Sequence, residues 1–406
     1  MNYLKLAWRN IWRNKRRTLL TAASIFLAVF LAILVRSIQT GWFDNIINVV
    51  TQSYTGHIQV HKKGYWDDKD INNAMYCNDS LLKLIQSVDN VSHAVPRLEY
   101  FALSSFKQQT KGVLLTGTDA VKEDNLTHLS RKIIQGKYLD NTDNGLLVAQ
   151  KLASYLDIKT GDTLVLIGQG FHGVSAVGKF PVQGILHFPS PQLDNQMIYM
   201  NLLTAQEFFS ADNRITSVSL MLNNPDEINQ TVILIRSAIN NDRYEVMRWD
   251  EMLVEVMQQL KAKTAGGNII IGILYMIVGF GIFGTVIMMT NERIKEFGVV
   301  VSVGMQKTRL AVIVLVEMIF IGLTGIISGI AASLPIMLYY KVNPIHLTGN
   351  MAKTFINYGI EPLMPLAFKP VFILGNVVIV LIIIALTCIY PVRKIFKLNV
   401  VEALRK

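Results

Sequence analysis

The chain has 406 residues, 51% of them hydrophobic, with a net charge of +10 and two cysteines. That is too apolar for an ordinary soluble protein. Between Trp42 and Gly267 there are 20 basic against 24 acidic residues, and the remainder holds 19 against 5, so the basic excess is a matter of placement and argues against nucleic-acid binding.

Residues 1–17 carry Lys5, Arg9, Arg13, Lys15, Arg16 and Arg17 and no acid. Leu4, Trp8, Ile11 and Trp12 fall on the opposite face of a helix over 3–17, which predicts an amphipathic helix lying at a membrane surface. The apolar run Thr18–Val35 follows, within a first span taken as 18–41. It is longer than a signal-peptide core and no small-x-small cleavage site follows it, so it reads as a signal anchor. Asn268–Thr290, Leu310–Tyr340 and Val371–Tyr390 are three further runs long enough to cross a bilayer. The loop 291–309 carries Arg293, Lys295, Lys307 and Arg309, and the tail 391–406 carries Arg393, Lys394, Lys397, Arg405 and Lys406. By the positive-inside rule these segments and the N-terminus are cytoplasmic, and 42–267 and the loop 341–370 lie outside. The expected fold class is a membrane protein with four transmembrane helices, N-in and C-in, and a large non-cytoplasmic α+β domain between helices one and two.

Within 42–267, strand-like and helix-like stretches alternate. His57–His61, Ala102–Phe106, Gly112–Gly117, Gly145–Ala149, Thr163–Ile167 and Lys179–His187 read as strands. Asp79–Val88, with Asp79 as its N-cap, Asp226–Asn240 and Trp249–Lys263 read as helices. The block is large enough for two subdomains, an inner one over 42–110 and 195–267 and an inserted outer one over 111–194. Cys77 falls in this block and Cys388 in the last span, so no disulfide framework supports it.

Few motifs point to chemistry. No phosphate-binding G-x-x-x-x-G-K-[ST] occurs. Gly168, Gly170 and Gly173 spell G-x-G-x-x-G, but the following residues read as a returning strand, so the stretch Gly168–Gly178 is a hairpin tip and not a dinucleotide turn. His57 and His61 lack a third ligand nearby in sequence. No nucleophile elbow is present, and the chain is expected to be non-catalytic. In the third span Gly322, Gly325 and Gly329 permit close helix packing. Glu317 is the one acid inside an apolar span; polar packing within the bundle is favoured over a transport relay.

The segment Asn291–Glu317 stands apart. Glu292 and Glu296 sit beside Arg293 and Lys295, and Ile294, Phe297, Val299, Val300 and Val303 supply an apolar face, so a short amphipathic helix is expected, with Gly304 as its stop. Glu292, Arg293, Glu296, Gly298 and Gly304 resemble the E-R-x-x-E-x-G-x-x-x-A-x-G loop of the permease family that includes FtsX, MacB and the lipoprotein-releasing subunits LolC and LolE. The ending Asn399–Arg405, Gly56–Val60 and Gly136–Ile167 are similar to that family too, most closely to LolC and LolE. The resemblance implies a MacB-like periplasmic domain and a coupling helix, formed by Glu292, Arg293, Glu296, Phe297, Gly298, Val303 and Gly304, that docks on a cytoplasmic ABC ATPase dimer. No cofactor or metal is expected on this chain; ATP and Mg²⁺ would sit on the ATPase. A second permease, the same or a related chain, would complete the complex in a bacterial inner membrane. The hairpin with Gly168, Gly170, Phe171 and Gly173 stands where one lipoprotein-releasing subunit carries a longer hook for a periplasmic carrier. Two functions are compatible with this: release of lipoproteins or export of a lipophilic substrate, and FtsX-like control of a cell-wall hydrolase or other partner.

Overall fold

The structure is a computed structural model that describes residues 9, 15–140, 143–239, 242–350, 352, 362–400 and 403. Most of the expected helix over 3–17, and most of the C-terminal stretch 401–406, lie outside the described residues. The chain divides into two compact units, one of residues 1–44, 259–345 and 364–406, the other of residues 45–258 and 346–363.

Among the described residues four helices are long and apolar enough to cross a membrane: Thr18–Thr55, Leu260–Glu292, Lys307–Val342 and Pro370–Phe396. The apolar runs end earlier than the helices do. Lys15–Val50 is one helix, prolonged by a π-turn at Thr51–Thr55, and Val254–Glu292 is another. No proline interrupts either, and hydropathy reports where a helix leaves the apolar phase, not where it stops. The two run side by side near residue 40. Gln39 donates to the Thr264 carbonyl at 3.3 Å, and the Lys263 ammonium lies 4.5 Å from the Trp42 ring centre. The glycines of the third span pack inside the bundle. A Cβ at Gly325 would sit 2.7 Å from that of Ile25, and one at Gly329 2.9 Å from that of Val29, so these two let the first and third spans touch at backbone distance. Gly322 faces Ile384 of the fourth.

The second unit is α+β. Its strands are β1 (Ile58–Lys62), β2 (Met75–Tyr76), β3 (Val91–Phe106), β4 (Gln109–Thr118), β5 (Ile133–Gly136), β6 (Leu146–Ala149), β7 (Thr163–Gln169), β8 (Ser175–Leu186), β9 (Met197–Asn201), β10 (Arg214–Ile215), β11 (Ser217–Leu222) and β12 (Tyr244–Arg248). Ten of them form one sheet. The pairings β3–β4, β4–β9, β9–β6, β6–β8, β8–β7 and β7–β3 close a ring of six strands, and closure removes exposed edges. Leu98, Leu115, Leu147, Leu164, Leu186 and Ile198 are wholly buried in its core. The other lobe is β12–β1–β11–β3, covered by helices Asp79–Gln86 and Ile228–Ala238 around Ile58, Val218, Leu220, Ile85 and Ile235.

The subdomain boundary drawn from sequence needs correction. β3 is 16 residues long and serves both lobes. Its first half pairs β11 at Val91–Arg97, and its second half pairs β7 at Ala102–Ser105. A division at 110/111 therefore cuts β4 and places two of the ring's six strands, β3 and β9, outside the ring's lobe. Strand periodicity does not reveal which neighbour each half of a strand will meet. Two smaller differences are local. The helix expected to begin under Asp79 is capped by Asn78, whose side chain accepts the Ser80 N–H at 2.9 Å. The stretch Trp249–Lys263 is broken at Leu253, between helices Trp249–Met252 and Val254–Glu292.

Candidate coupling site

The short helix between the second and third span helices runs Ile294–Ser302. Gly304 ends it at φ +103°, a left-handed conformation that favours glycine. The Met305 N–H returns to the Val300 carbonyl at 3.2 Å and the Gly304 N–H to that of Val301 at 3.0 Å, the paired bonds of a Schellman stop.

The seven residues singled out from sequence split into two sets. Arg293, Phe297 and Gly298 are buried, and Glu292, Glu296, Val303 and Gly304 are exposed. Phe297 is packed in a cluster with Leu310, Ala311, Val314, Ile395, Leu398 and Ala403. The helix is thus anchored on the start of the third span helix and on the last turns of the chain. Lys307 strengthens that anchor, its ammonium donating to the carbonyls of Phe396 and Leu398 at 3.1 and 2.7 Å, where a cation suits a helix C-terminus.

The decisive contact is one the sequence reading missed. Arg293 and Glu317, each more than nine-tenths buried, form a two-pronged ion pair, and the Arg293 Nε also reaches Glu296 at 3.4 Å. Glu317 does pack within the protein, but its partner is the arginine expected on the docking surface. A signal was present. Glu317 and Arg293 lie twelve residues on either side of Met305, so a helical hairpin about that turn brings them to one level.

Other candidates sit differently. Gly168 lies within β7, paired with Ala102 of β3. The Gly170 N–H donates to the Val174 carbonyl at 2.6 Å and the Phe171 N–H to that of Phe209 at 2.7 Å. Phe171 is stacked under the Arg214 guanidinium at 4.1 Å, and the His172 N–H donates to Asn72 at 2.7 Å. The tip is folded onto its own domain at Gly170 and Phe171, and Gln169, His172, Gly173, Val174, Ser175 and Val177 are exposed. Of the four residues compared with the family's hook, Gly170 is buried, Gly168 and Phe171 are partly buried, and Gly173 is exposed. His57 and His61 are buried; His57 Nδ1 accepts the Leu222 N–H at 3.1 Å, and His61 Nε2 meets Gln59 at 2.9 Å.

Residues 268–400 match the FtsX-like permease C-terminal family, and residues 18–238, more than half of the chain, match the MacB-like periplasmic core domain family. The chain belongs to the FtsX/MacB-like ABC transporter permeases. It is similar to an uncharacterized ABC transporter permease of Methanocaldococcus jannaschii, at 23% identity over 67% of this chain and 65% of that one. This match spans less than two thirds of that relative's length. It is also similar to the uncharacterized ABC transporter permease YknZ of Bacillus subtilis, at 22% identity over 80% of this chain and 84% of the relative. Among solved structures, the extracellular domain of YknZ from Gram-positive bacteria aligns at a TM-score of 0.34 and 14% identity, covering 48% of this chain and 100% of that one. The periplasmic region of MacB from Actinobacillus actinomycetemcomitans aligns at 0.37 and 13%, covering 53% and 97%. This permease is a membrane protein.

Proposed function

We propose that this permease couples ATP hydrolysis on a separate cytoplasmic ATPase dimer to movement of its MacB-like domain, and that the movement drives lipoprotein release or export of a lipophilic substrate. The observation that carries this reading is the two-sided helix Ile294–Ser302. Its buried side is fastened to the third span helix by Arg293–Glu317, and Glu292, Glu296, Val303 and Gly304 are left at the surface. A push on that surface reaches the span through an ion pair and a packed phenylalanine, so little of it is lost in a soft connection. Single helices, Lys15–Val50 and Val254–Glu292, then carry the chain from one unit into the other. The charge pattern supports a cytoplasmic position for 291–309 and both termini, and an outer position for 42–267, in a bacterial inner membrane. ATP and Mg²⁺ belong to the ATPase.

The test replaces Glu292 and Gly304 together (Glu292→Ala, Gly304→Ala) and measures membrane insertion, ATPase co-purification and permease-dependent ATP hydrolysis. Insertion is expected to be unchanged, and co-purification or stimulation to fall at least tenfold. Wild-type assembly and hydrolysis in the double variant would remove the coupling assignment. Capture of a lipoprotein by the full complex supports the release reading, and capture of a cell-wall hydrolase instead would overturn it in favour of regulation.

A further inference from the structure

The helices Lys15–Val50 and Val254–Glu292 meet where their apolar runs end. Arg36 directly follows the run Thr18–Val35, and Asn268 opens the run Asn268–Thr290. Arg36 Nη1 donates across the helix pair to Asn268 Oδ1, and along its own helix to Gln39 Oε1 at 3.4 Å. Gln39 is itself fixed, because its Nε2 donates to the Thr264 carbonyl. A Cβ at Gly267 would lie 1.8 Å from that nitrogen, so glycine is what lets Gln39 reach the second helix. The guanidinium is thereby tied in place, where a snorkelling arginine would be left mobile in water.

What this guanidinium lacks is a counter-ion. Both of its acceptors are neutral amides. Among the described residues no carboxylate oxygen comes within 4.0 Å of it, and its Nε and Nη2 have no acceptor. Asp44, further along the same helix, is engaged by Lys369 at 2.8 Å. A charge at the edge of an apolar phase is ordinarily paired. Arg36 is only partly buried, and Nε with Nη2 forms the side of the fork that matches two oxygens of one anion. The position selects the anion, because the end of an apolar run is the level of phospholipid phosphates. The next turns of the same two helices fit that level. There the Lys263 ammonium lies 4.5 Å from the Trp42 ring centre, the pairing of cation and indole found at a headgroup layer.

We propose that Arg36 binds the phosphate of a membrane phospholipid side-on through Nε and Nη2, with Asn268 and Gln39 as the residues that position it. The site involves neither the coupling helix nor the ATPase.

Native mass spectrometry of the full chain in neutral detergent tests it, with phosphatidylglycerol, phosphatidylcholine and diacylglycerol of identical acyl chains as probes. Both phospholipids are expected to be retained at least about tenfold more than diacylglycerol, the scale of one charge-assisted hydrogen bond. Arg36→Gln should abolish that preference in a chain that still melts cooperatively. Arg36→Lys, which keeps the charge without the fork, should remove most of it. Asn268→Ala, which keeps the charge without its placement, should lower it several-fold. Inorganic phosphate in excess should leave the phospholipid bound. Equal retention of the three lipids, or an undiminished preference in any of the folded variants, would overturn the proposal. Displacement by inorganic phosphate would overturn the lipid assignment in favour of a free anion. Should Arg36→Gln fail to fold, Arg36→Lys and the probe order decide.

Discussion

Each unit of this permease buries an arginine–glutamate pair, and the two pairs are built differently. Arg97, wholly buried, donates from Nε and Nη2 to Glu123 at 2.8 and 2.7 Å, and the hydroxyls of Thr118 and Thr127 donate to the same carboxylate at 3.1 Å each. Burial by itself would depress the Arg97 pKa; the Glu123 carboxylate more than reverses this and holds it above its ordinary value. Arg293–Glu317 has a sparser setting, with a half-exposed Glu296 as the third member. A carboxylate with four donors makes a rivet that nothing in the domain's work should loosen. An ion pair at the root of a surface helix sets the helix's position, and a change at that surface can reach it.

That difference can be broken in graded steps. The largest effect is expected at Glu123→Gln, which takes from the wholly buried Arg97 its closest counter-ion and leaves it Glu99 at 3.8 Å. A loss of about 4 kcal/mol is the usual scale for such a change, and denaturant melting of the purified chain should show the MacB-like domain unfolding first. Glu317→Gln should destabilise by about 3 kcal/mol or less, because Arg293 keeps Glu296 and lies nearer the surface. Its distinctive readout is ATPase stimulation, which should fall even where the protein stays folded. The exchanged pair Arg293→Glu with Glu317→Arg should recover part of that stimulation, and failure to recover any would reduce the pair to a packing role.

Lys132 sharpens the picture of charge within the MacB-like domain. Its amine is buried with no hydrogen-bond acceptor among the described residues, and burial, opposed by the Glu123 carboxylate, lowers its pKa from 10.5 to about 8. The folded chain therefore binds fewer protons than the unfolded chain between about pH 8 and 10.5, so this group makes stability rise as pH rises through that window. Below it the full penalty applies. Lys132→Met is expected to stabilise the domain at pH 7 by about 1–3 kcal/mol, at 1.36 kcal/mol per pKa unit, and to flatten the pH dependence of the melting temperature between 8 and 10.5. The smallest stability effect belongs to Glu292→Ala with Gly304→Ala, about 1 kcal/mol from strain at the left-handed glycine. A large thermal shift in that variant would mean that its exposed face is structural.

The legible parts of this molecule are those governed by local chemistry. The four spans follow from apolar runs, and the stop at Gly304 from the need for positive φ. Gly325 and Gly329 declared a close helix approach, though only the bundle shows that the first span is what approaches. The sequence misled where one element has two neighbours. Phe171 is held by Arg214 and Phe209, about forty residues downstream, which no local pattern at the hairpin discloses.

By itself the sequence determined the four apolar runs, the charge asymmetry about them, the α+β character of the block between the first two and the place of the short helix Ile294–Ser302. All of these are set within a window of about twenty residues. Tertiary structure alone decided that β3 belongs to two lobes, and that Arg293 turns inward to Glu317 while Glu292 and Glu296 stay at the surface. Each of these depends on which groups meet across a long stretch of chain, where a buried charge must find its partner in three dimensions.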